Sequence, residues 1–192
     1  ELMNMFESLA LNVSNVEVLS HPVRDVKPEV LRPIRQAARQ QKRLDCDYVS
    51  LNHPDREGRI IVPHTLVYTG LRWHVRAWCE KNQGYRDFVL SRFRDIPEIM
   101  DESEHGAAQD SEWNTEVTLR ITPDPRLASE QREVIEMDYG MNDGALCITT
   151  RGKLVPYALR LLHINPRESL DDPMAQQIVV ANRGELEPWL FG

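Results

Sequence analysis

Basic and aromatic side chains alternate with apolar ones in one short stretch of the 192-residue chain, Arg72-Trp73-His74-Val75-Arg76-Ala77-Trp78. If this stretch is a β-strand, successive side chains point to opposite faces of the sheet. A core face would then hold Trp73, Val75, Ala77 and Cys79, and the opposite face would hold Arg72, His74, Arg76 and Trp78. Cations interleaved with an aromatic ring can bind phosphates and stack on bases, so the second face is typical of an anion or nucleic-acid platform.

Around this stretch the basic residues are mostly arginine and rarely lysine. Residues 59–92 contain a single lysine and several arginines, namely Arg59, Arg72, Arg76, Arg86 and Arg92. A guanidinium group binds phosphate through two parallel hydrogen bonds, whereas a lysine ammonium acts as a point charge. The alternative is a solvated outer face whose arginines pair with Asp45, Asp47 and Asp87, and the sequence leaves both interpretations open.

The spacing of the arginines also predicts how two neighbouring strands meet. Arg86 and Arg92 differ by an even number, so we expect them to share one face of the strand that follows. That face would lie beside the basic face of the first strand, with Asp87 pointing to the other side. Guanidinium groups held this close repel one another unless an anion lies among them. Arg76→Ala is therefore expected to weaken binding of an anionic ligand without unfolding the domain.

The chain carries none of the motifs that would indicate an enzyme, such as HExxH, GxSxG, a P-loop, or GxGxxG after a strand. His64 and His74 could meet on neighbouring strands, but no cysteine or carboxylate close in sequence would complete a metal site. The cysteines Cys46, Cys79 and Cys147 lie far apart, which is typical of reduced thiols. We therefore predict no enzyme activity, no cofactor and no metal, and a cytoplasmic location.

The net charge of -7 is unevenly distributed along the chain. Residues 21–99 carry a net charge of +5, whereas residues 100–192 carry -9. A basic middle part beside an acidic C-terminal part indicates two units with different roles, the first of them suited to anionic partners. No apolar run approaches the roughly 18 residues of a membrane span, so no membrane partner is expected.

Hydrophobic periodicity predicts an α+β chain. A helix is expected after Pro28 or Pro33, and alternation from Leu44 onward begins four strand-like runs separated by turn residues. These runs cover residues 44–51, 59–68, 72–80 and 85–96. Short strands joined by hairpin-length loops are typical of a small antiparallel β-barrel.

Residues 98–112 are acidic and polar, and we expect them to form a linker. The C-terminal part then alternates strand and helix patterns, with strands over 113–121, 146–150 and 177–180 and helices to about 137 and over 154–162. The predicted division of the chain is an N-terminal helical segment (1–43), a barrel (44–97), a linker (98–112) and a small α+β domain (113–192).

Both ends of the chain are apolar and have no evident partner inside two small units. The residues concerned are Leu2, Met5 and Phe6 at the start and Trp189, Leu190 and Phe191 at the end. Buried together across a two-fold axis they would form a self-complementary interface, so we predict a homodimer.

Four short motifs in order along the chain resemble a WYL domain: Asp47–Ser50, Arg59–Val67, Arg72–Ala77 and Arg86–Arg92. The name-giving tripeptide stands here as Trp73-His74-Val75, which is similar to a WHVRA-type subgroup of regulators found beside phage-defence operons. The C-terminal part is similar to the extension that usually follows this domain, at Leu119, Pro123, Leu127, Arg151 and Tyr157.

The resemblance implies an Sm-like or SH3-like barrel that senses a nucleic acid or nucleotide, a homodimer, and a winged helix-turn-helix that binds operator DNA and normally precedes the barrel. The residues before Leu44 are too few to hold that DNA-binding domain, so operator binding is expected only through a segment outside this chain. Carried over to this sequence, the family's ligand-binding positions are Tyr48, Ser50, His64, Arg72, His74, Arg76, Arg86 and Arg92.

Several of these positions have a structural alternative. Tyr48 or Trp78 could stack on a base, but Tyr48 could equally be a core aromatic with a wet hydroxyl. His64, beside Pro63, could be a structural histidine, and Arg59 could cap the entrance of the barrel.

The expected function is the ligand-sensing and dimerising part of a WYL-type DNA-binding transcriptional regulator, a repressor of a phage-defence operon. Its WYL pocket would bind single-stranded nucleic acid or a nucleotide. The alternative is a nucleic-acid-binding accessory subunit that does not regulate transcription.

Overall fold

The computed structural model describes residues 25–51, 54–165 and 171–190, and it confirms the α+β class. The helices in these ranges are α1 (Pro28–Gln40), α2 (Ser111–Asn114), α3 (Ser129–Asp138), α4 (Val155–Leu161) and α5 (Arg183–Leu190). The strands are β1 (Lys42–Tyr48), β2 (Glu57–Tyr68), β3 (Trp73–Cys79), β4 (Gly84–Val89), β5 (Glu98–Glu102), β6 (Glu116–Pro123), β7 (Leu146–Arg151) and β8 (Ile178–Val180).

The first domain is an antiparallel sheet in the order β4-β3-β2-β1-β5, with α1 packed on one side. Pro28 starts α1, where a missing backbone N–H costs nothing, and Gln41 ends it in a left-handed conformation with φ 51°. The helix buries Val30, Ile34 and Ala37 against the sheet. Apolar residues at helical spacing therefore cover the apolar face of alternating strands.

The sheet is not the closed barrel that the sequence predicted. The fourth run ends as a strand at Val89, and Leu90–Arg92 forms a 3-10 turn that redirects the chain. Within the described residues no ladder joins β4 to β5; a single bridge between Tyr48 and Phe93 connects the chain after β4 to the end of β1. The sheet curls back on itself at this bridge without closing.

A third of the predicted linker is structured as part of this sheet. Residues Glu98–Glu102 form β5, which pairs with β1 at the sheet edge. Arg43 on β1 donates a hydrogen bond to Asp101 at 2.9 Å, and Ile99 packs against the core. The acidic composition of this segment is typical of a linker, so the sequence did not predict a strand. In the structure the acidic side chains face solvent or Arg43, which is compatible with an edge strand.

The second domain is a small sheet in the order β7-β6-β8 with three helices around it. The buried apolar side chains of its core include Leu119, Ile121, Val155, Leu159, Leu186 and Leu190, and β7 adds the partly buried Leu146 and Ile148. Leu186 and Leu190 are only 1% and 5% exposed, so the apolar C-terminus packs inside its own domain. The prediction that this end lacks an internal partner was wrong, and Leu2, Met5, Phe6 and Phe191 lie outside the described residues.

No helix in the described part of the chain has both the length and the apolar character needed to span a bilayer.

Candidate functional site

The polar face of β3 is buried, although the sequence predicted an open platform. On the core face Val75, Ala77 and Cys79 are fully buried, as expected, whereas Trp73 is 43% exposed, contrary to the prediction. On the opposite face His74 and Arg76 are each only 3% exposed. The segment between the two sheets and the helix α4 cover this second face, which is why cations lie in the interior.

Arg76 is the centre of a buried polar cluster. Its Nε donates to Oδ2 of Asp110 at 2.7 Å and its Nη2 to Oδ1 of the same carboxylate at 3.2 Å. Nη2 also contacts Glu112 at 3.1 Å, and Nη1 contacts Asp87 at 3.5 Å. The guanidinium group is therefore neutralised by acids of this chain.

Asp110 holds this cluster together from the segment before α2. Its carboxylate accepts the backbone N–H of Trp113 at 3.1 Å, which caps α2, and its Oδ2 lies 3.3 Å from Nε2 of His64. Burial raises the pKa of the Asp110 carboxyl, but the hydrogen bonds and charge of Arg76 outweigh burial, so the net shift is downward. Asp110 is thus an anion held in the interior by Arg76.

Two neighbouring groups have pKa values shifted by burial. Burial lowers the pKa of the His64 imidazole, although the nearby carboxylate of Asp110 opposes the shift. Burial raises the pKa of the Asp87 carboxyl, although Arg76 opposes it. Both shifts disfavour the charged form of the side chain, as expected for groups with little access to water.

The register between β3 and β4 contradicts the arrangement of arginines predicted from their spacing. Arg76 pairs with Asp87, and Ala77 pairs with Arg86. Asp87 therefore faces the buried cluster. Arg86 begins on the opposite side of β4, but β4 is an edge strand, and the exposed side chain of Arg86 still lines the open groove between the two domains. Arg92 is not on β4 at all, because it belongs to the 3-10 turn that follows.

Neither aromatic residue predicted for base stacking is available for it. Tyr48 is a core residue, with its ring edge-on to Phe88 and Phe93 and its hydroxyl accepting the backbone N–H of Val89 at 3.0 Å. Trp78 is covered by His105, whose ring stacks on it with a centroid distance of 4.0 Å.

An open groove of about 1100 Å³ lies between the two domains, beside the buried cluster. The first domain contributes Arg72, Arg76, Tyr85, Arg86 and Asp87 to its walls, and the second contributes Lys153, Pro156, Tyr157, Arg160, His163, Ile164, Asn165, Pro188, Trp189 and Leu190. Of its five cationic side chains, Arg76 and Lys153 are paired with acids of this chain, whereas Arg86 and Arg160 form no ion pair within the described residues. Such a concave, cationic surface suits a polyanion.

The structure separates the eight predicted site residues into three groups. Arg72, Arg76 and Arg86 line the groove. His64 and His74 belong to the polar face behind it: His64 contacts Asp110, and Nε2 of His74 accepts a hydrogen bond from Arg72 at 3.0 Å. The remaining three, Tyr48, Ser50 and Arg92, are not among the lining residues.

The sequence did not predict the contribution of the second domain to the groove. Lys153, Tyr157 and Arg160 follow one another at intervals of four and three residues, which places them on one face of the turn and helix around α4. This basic and aromatic stripe beside an apolar helix was the available signal. It is weak by itself, because such a stripe is usually a solvated helix face.

Direct contacts join the two domains at the groove. The hydroxyl of Tyr157 donates to Oδ2 of Asp87 at 3.2 Å, and its ring meets His74 edge-on at 5.1 Å. Burial, with Asp87 nearby, raises the pKa of Tyr157 to about 12, so the phenol remains a donor at neutral pH. Lys153 contacts Glu112 at 3.0 Å. A ligand in the groove would therefore touch both domains.

The chemistry available in the groove is anion binding. Arg86 and Arg160 are exposed, and neither forms an ion pair within the described residues. Their guanidinium groups can bind phosphate oxygens in pairs. In the same ranges no cluster of three or more histidine, cysteine or acidic side chains is placed to hold a metal ion.

Two protein families match successive parts of the chain. Residues 29–97 match the family described as WYL domain, and residues 116–186 match the one described as BrxR transcriptional regulator, C-terminal dimerization domain. Strands β1–β4 of the first sheet lie in the first range, and the β6–β8 sheet lies in the second.

Several curated relatives bear the name DNA-binding transcriptional repressor CapW. The protein from Stenotrophomonas maltophilia is 33% identical over 173 residues, and the one from Pseudomonas aeruginosa is 34% identical over 164 residues. The alignments cover 90% and 85% of this chain but 58% and 54% of the relatives, so the chain spans little more than half of their length. Among solved structures, proteasome accessory factor B/C (PafBC) of Arthrobacter aurescens aligns with 96% of this chain and 30% of its own, at 15% identity and a TM-score of 0.41.

Proposed function

This chain belongs to the WYL-domain family and carries a BrxR-type C-terminal dimerization domain, and from this premise we propose that it is the ligand-sensing and dimerising part of a DNA-binding transcriptional repressor. The names of its relatives support repression as the sign of regulation. Because the chain spans 58% of the relative from Stenotrophomonas maltophilia, we assign operator binding to a winged helix-turn-helix outside this chain. We further assign the regulated gene to a phage-defence operon.

The cationic groove is the observation that carries the ligand-sensing role. Arg72, Arg86 and Arg160 place guanidinium groups around one open volume with a single aspartate among the lining residues. A nucleotide or a short single strand offers a row of phosphates that can meet several of these cations. We therefore assign the groove, rather than the buried face of β3, as the site that binds nucleic acid or a nucleotide.

The position of the groove explains how a bound ligand would affect repression. Its second wall is formed by the domain that matches a dimerization family, so the ligand would contact the dimerising unit directly. A ligand that binds one arrangement of the two domains better than another shifts the population toward that arrangement. In a homodimer the spacing of two DNA-binding segments would change with it.

Binding of fluorescent oligothymidylates to this chain across a range of salt concentrations tests the proposal. We expect affinity to fall as salt rises, with a slope of about -0.7 per phosphate contact in the logarithmic plot. Arg86→Ala and Arg160→Ala should each weaken binding and make that slope shallower by about one contact. Arg132→Ala, which removes an exposed arginine on α3 outside the groove, is the matched control and should leave binding unchanged.

Two results would contradict the proposal in different ways. If the parent chain binds no oligonucleotide or nucleotide, the sensing role fails. If it binds them but the complete repressor keeps its operator at saturating ligand, the chain is better described as a nucleic-acid-binding accessory unit that does not regulate transcription.

A further inference from the structure

One carboxylate of α2 joins the two domains at the wall of the groove. Glu112 places Oε2 at 3.1 Å from Nη2 of Arg76 and Oε1 at 3.0 Å from Nζ of Lys153. Arg76 belongs to the first domain and Lys153 to the second, and both line the groove. The two oxygens of one carboxylate therefore hold one cation from each domain.

A phosphate group has the same recognition chemistry as this carboxylate, namely oxygens that accept hydrogen bonds from a guanidinium and an ammonium. We propose that Arg76 and Lys153 form a phosphate-binding site that spans the two domains, and that Glu112 fills this site in the ligand-free chain. The identity of the ligand rests on the proposed function, since the phosphate would belong to the nucleic acid or nucleotide in the groove.

The two acids on Arg76 differ in how easily a ligand could replace them. Asp110 is 1% exposed, binds the guanidinium through both oxygens and also caps α2, so it anchors Arg76 permanently. The Glu112 side chain is 48% exposed and can swing into water. When it leaves, Arg76 keeps Asp110 and Asp87, so no buried charge is left unpaired.

This arrangement makes Glu112 a competitor of the ligand and a link between the domains. A phosphodiester carries the same single charge as a carboxylate, but its strand brings neighbouring phosphates that can meet Arg86 and Arg160 at the same time, so the whole ligand gains more than Glu112 does. Once the phosphate is bound, α2 is no longer tied to Lys153 through Glu112. In the ligand-free chain Glu112 connects Arg76 to Lys153, and in the complex the phosphate of the ligand would connect them instead.

Glu112→Gln tests the site, because glutamine keeps the shape of the side chain and removes its charge. For a labelled five-nucleotide oligothymidylate we expect binding about two- to fivefold tighter than in the parent, as expected for loss of a half-exposed competing ion pair. The salt slope should become steeper by about 0.7, since one more counterion is released per complex. Adding Lys153→Met to Glu112→Gln should reverse the gain.

Glu116→Gln is the matched control for a general change in charge. Its side chain is 63% exposed, it pairs with Arg151 at 3.8 Å, and it does not line the groove. It should bind the oligonucleotide like the parent. Equal gains in the Glu112 and Glu116 variants would show a long-range charge effect and would overturn the proposed site.

Inorganic tripolyphosphate separates this inference from the proposed function. It should raise the thermal unfolding midpoint of Glu112→Gln more than that of the parent or of Glu116→Gln. If it does so while no variant binds oligonucleotides or nucleotides, the anion site is supported and the nucleic-acid function fails. If the parent binds oligonucleotides but neither probe distinguishes Glu112→Gln from the controls, the function survives and the site at Arg76 and Lys153 is wrong.

Discussion

At the scale of single residues, the main role of Arg76 is to stabilise the fold through a buried ion pair with Asp110. A guanidinium group taken out of water is costly unless its donors are satisfied and its charge is balanced. Asp110 provides two of the hydrogen bonds from a position 34 residues away in sequence, and His64 and Trp113 hold Asp110 in place. Arg76 is thus a buried structural residue in the wall of the groove. The exposed cations of the groove are Arg86 and Arg160.

This role changes the expected result of removing Arg76. Arg76→Ala leaves the buried carboxylate of Asp110 and the partly exposed carboxylate of Asp87 without their cation, so we expect it to lower the free energy of unfolding by about 3–5 kcal/mol. Urea denaturation measures this loss. The sequence-based expectation that the substitution spares the domain assumed a solvated side chain, whereas Arg76 is only 3% exposed.

Two further variants identify the cause of that loss. Arg86→Ala removes an exposed arginine from the neighbouring strand and should change stability by less than about 0.5 kcal/mol. Arg76→Ala combined with Asp110→Asn should be more stable than Arg76→Ala alone, because asparagine can still cap α2 and one uncompensated charge is gone. A loss below about 1 kcal/mol in Arg76→Ala would mean that the cluster is not a buried ion pair.

His64 predicts a dependence of stability on pH. Its pKa is lowered in the folded chain by burial, so below the ordinary histidine pKa the unfolded chain binds a proton that the folded chain does not. Stability should therefore fall as the pH decreases from 7 to 5. His64→Gln should remove this part of the dependence, whereas His163→Gln, at an exposed position, should keep it.

Asp87 contributes to the same titration with the opposite sign. Its raised pKa means that the folded chain takes up a proton at a higher pH than the unfolded chain does. The difference between the parent and His64→Gln isolates the histidine, because Asp87 is present in both. Identical unfolding curves at pH 7 and pH 5 in the two proteins would contradict the assignment to His64.

At the scale of elements, the groove exists because α4 and α5 are fixed on the second sheet. The residues that face it from these helices include Tyr157 and Arg160 on α4 and Trp189 on α5. Trp189 lies across the 3-10 turn Gly152–Leu154, which leads into α4. The close approach of an indole ring to a backbone requires a residue without a side chain at that point.

Gly152→Ala tests this contact. A Cβ atom at position 152 would lie 2.5 Å from the Trp189 ring, so the ring and α5 must move. We expect a loss of about 1–3 kcal/mol in the free energy of unfolding, the usual range for overpacking a filled interior. Chemical denaturation followed by tryptophan fluorescence measures both the loss and the changed environment of the ring.

Gly184→Ala is the control within α5 itself. No atom lies within 4 Å of a Cβ built at position 184, so this substitution should be neutral or should stabilise the helix by up to about 1 kcal/mol. Equal stability of the Gly152 and Gly184 variants would show that α5 is not packed against the turn in solution.

At the scale of the whole molecule, acidic and basic side chains are concentrated in different parts of the chain, and they meet at the groove. The segment between the sheets carries acids that neutralise the first domain from within, through Asp110 and Glu112. The second domain is acidic in sum but places Lys153 and Arg160 at the groove. Each domain therefore contributes cations at the point where the two meet.

The dimerization family of the second domain leads to a prediction for the assembled chain. Light scattering at micromolar concentration should give a mass near 44 kDa, twice the 22.2 kDa of one chain. The thermal midpoint should also rise with protein concentration, because association stabilises the folded form by mass action. A mass near 22 kDa with a midpoint independent of concentration would show that this chain does not dimerise by itself.

Local patterns in the sequence determined the types of most elements and the family. Apolar residues at helical spacing after Pro28 and alternation after Leu44 predict α1 and the first strands, and the order of four motifs identifies the WYL domain. These features depend on neighbours within a few residues, which a sequence displays directly. The second domain was likewise predicted as a mixture of strands and helices, since its alternation is equally local.

Pairing between elements was decided only by the tertiary structure. The four-residue loop 80–83 pairs Cys79 with Gly84, so even-numbered residues of β3 face odd-numbered residues of β4. A shift of one residue would have placed Arg86, and not Asp87, beside Arg76, and the geometry of the turn sets this choice. The partnership of Arg76 with Asp110, and the groove shared with Lys153 and Arg160, arise from segments distant in sequence. Nothing in a local pattern encodes such contacts, because they depend on how two separately folded sheets pack together.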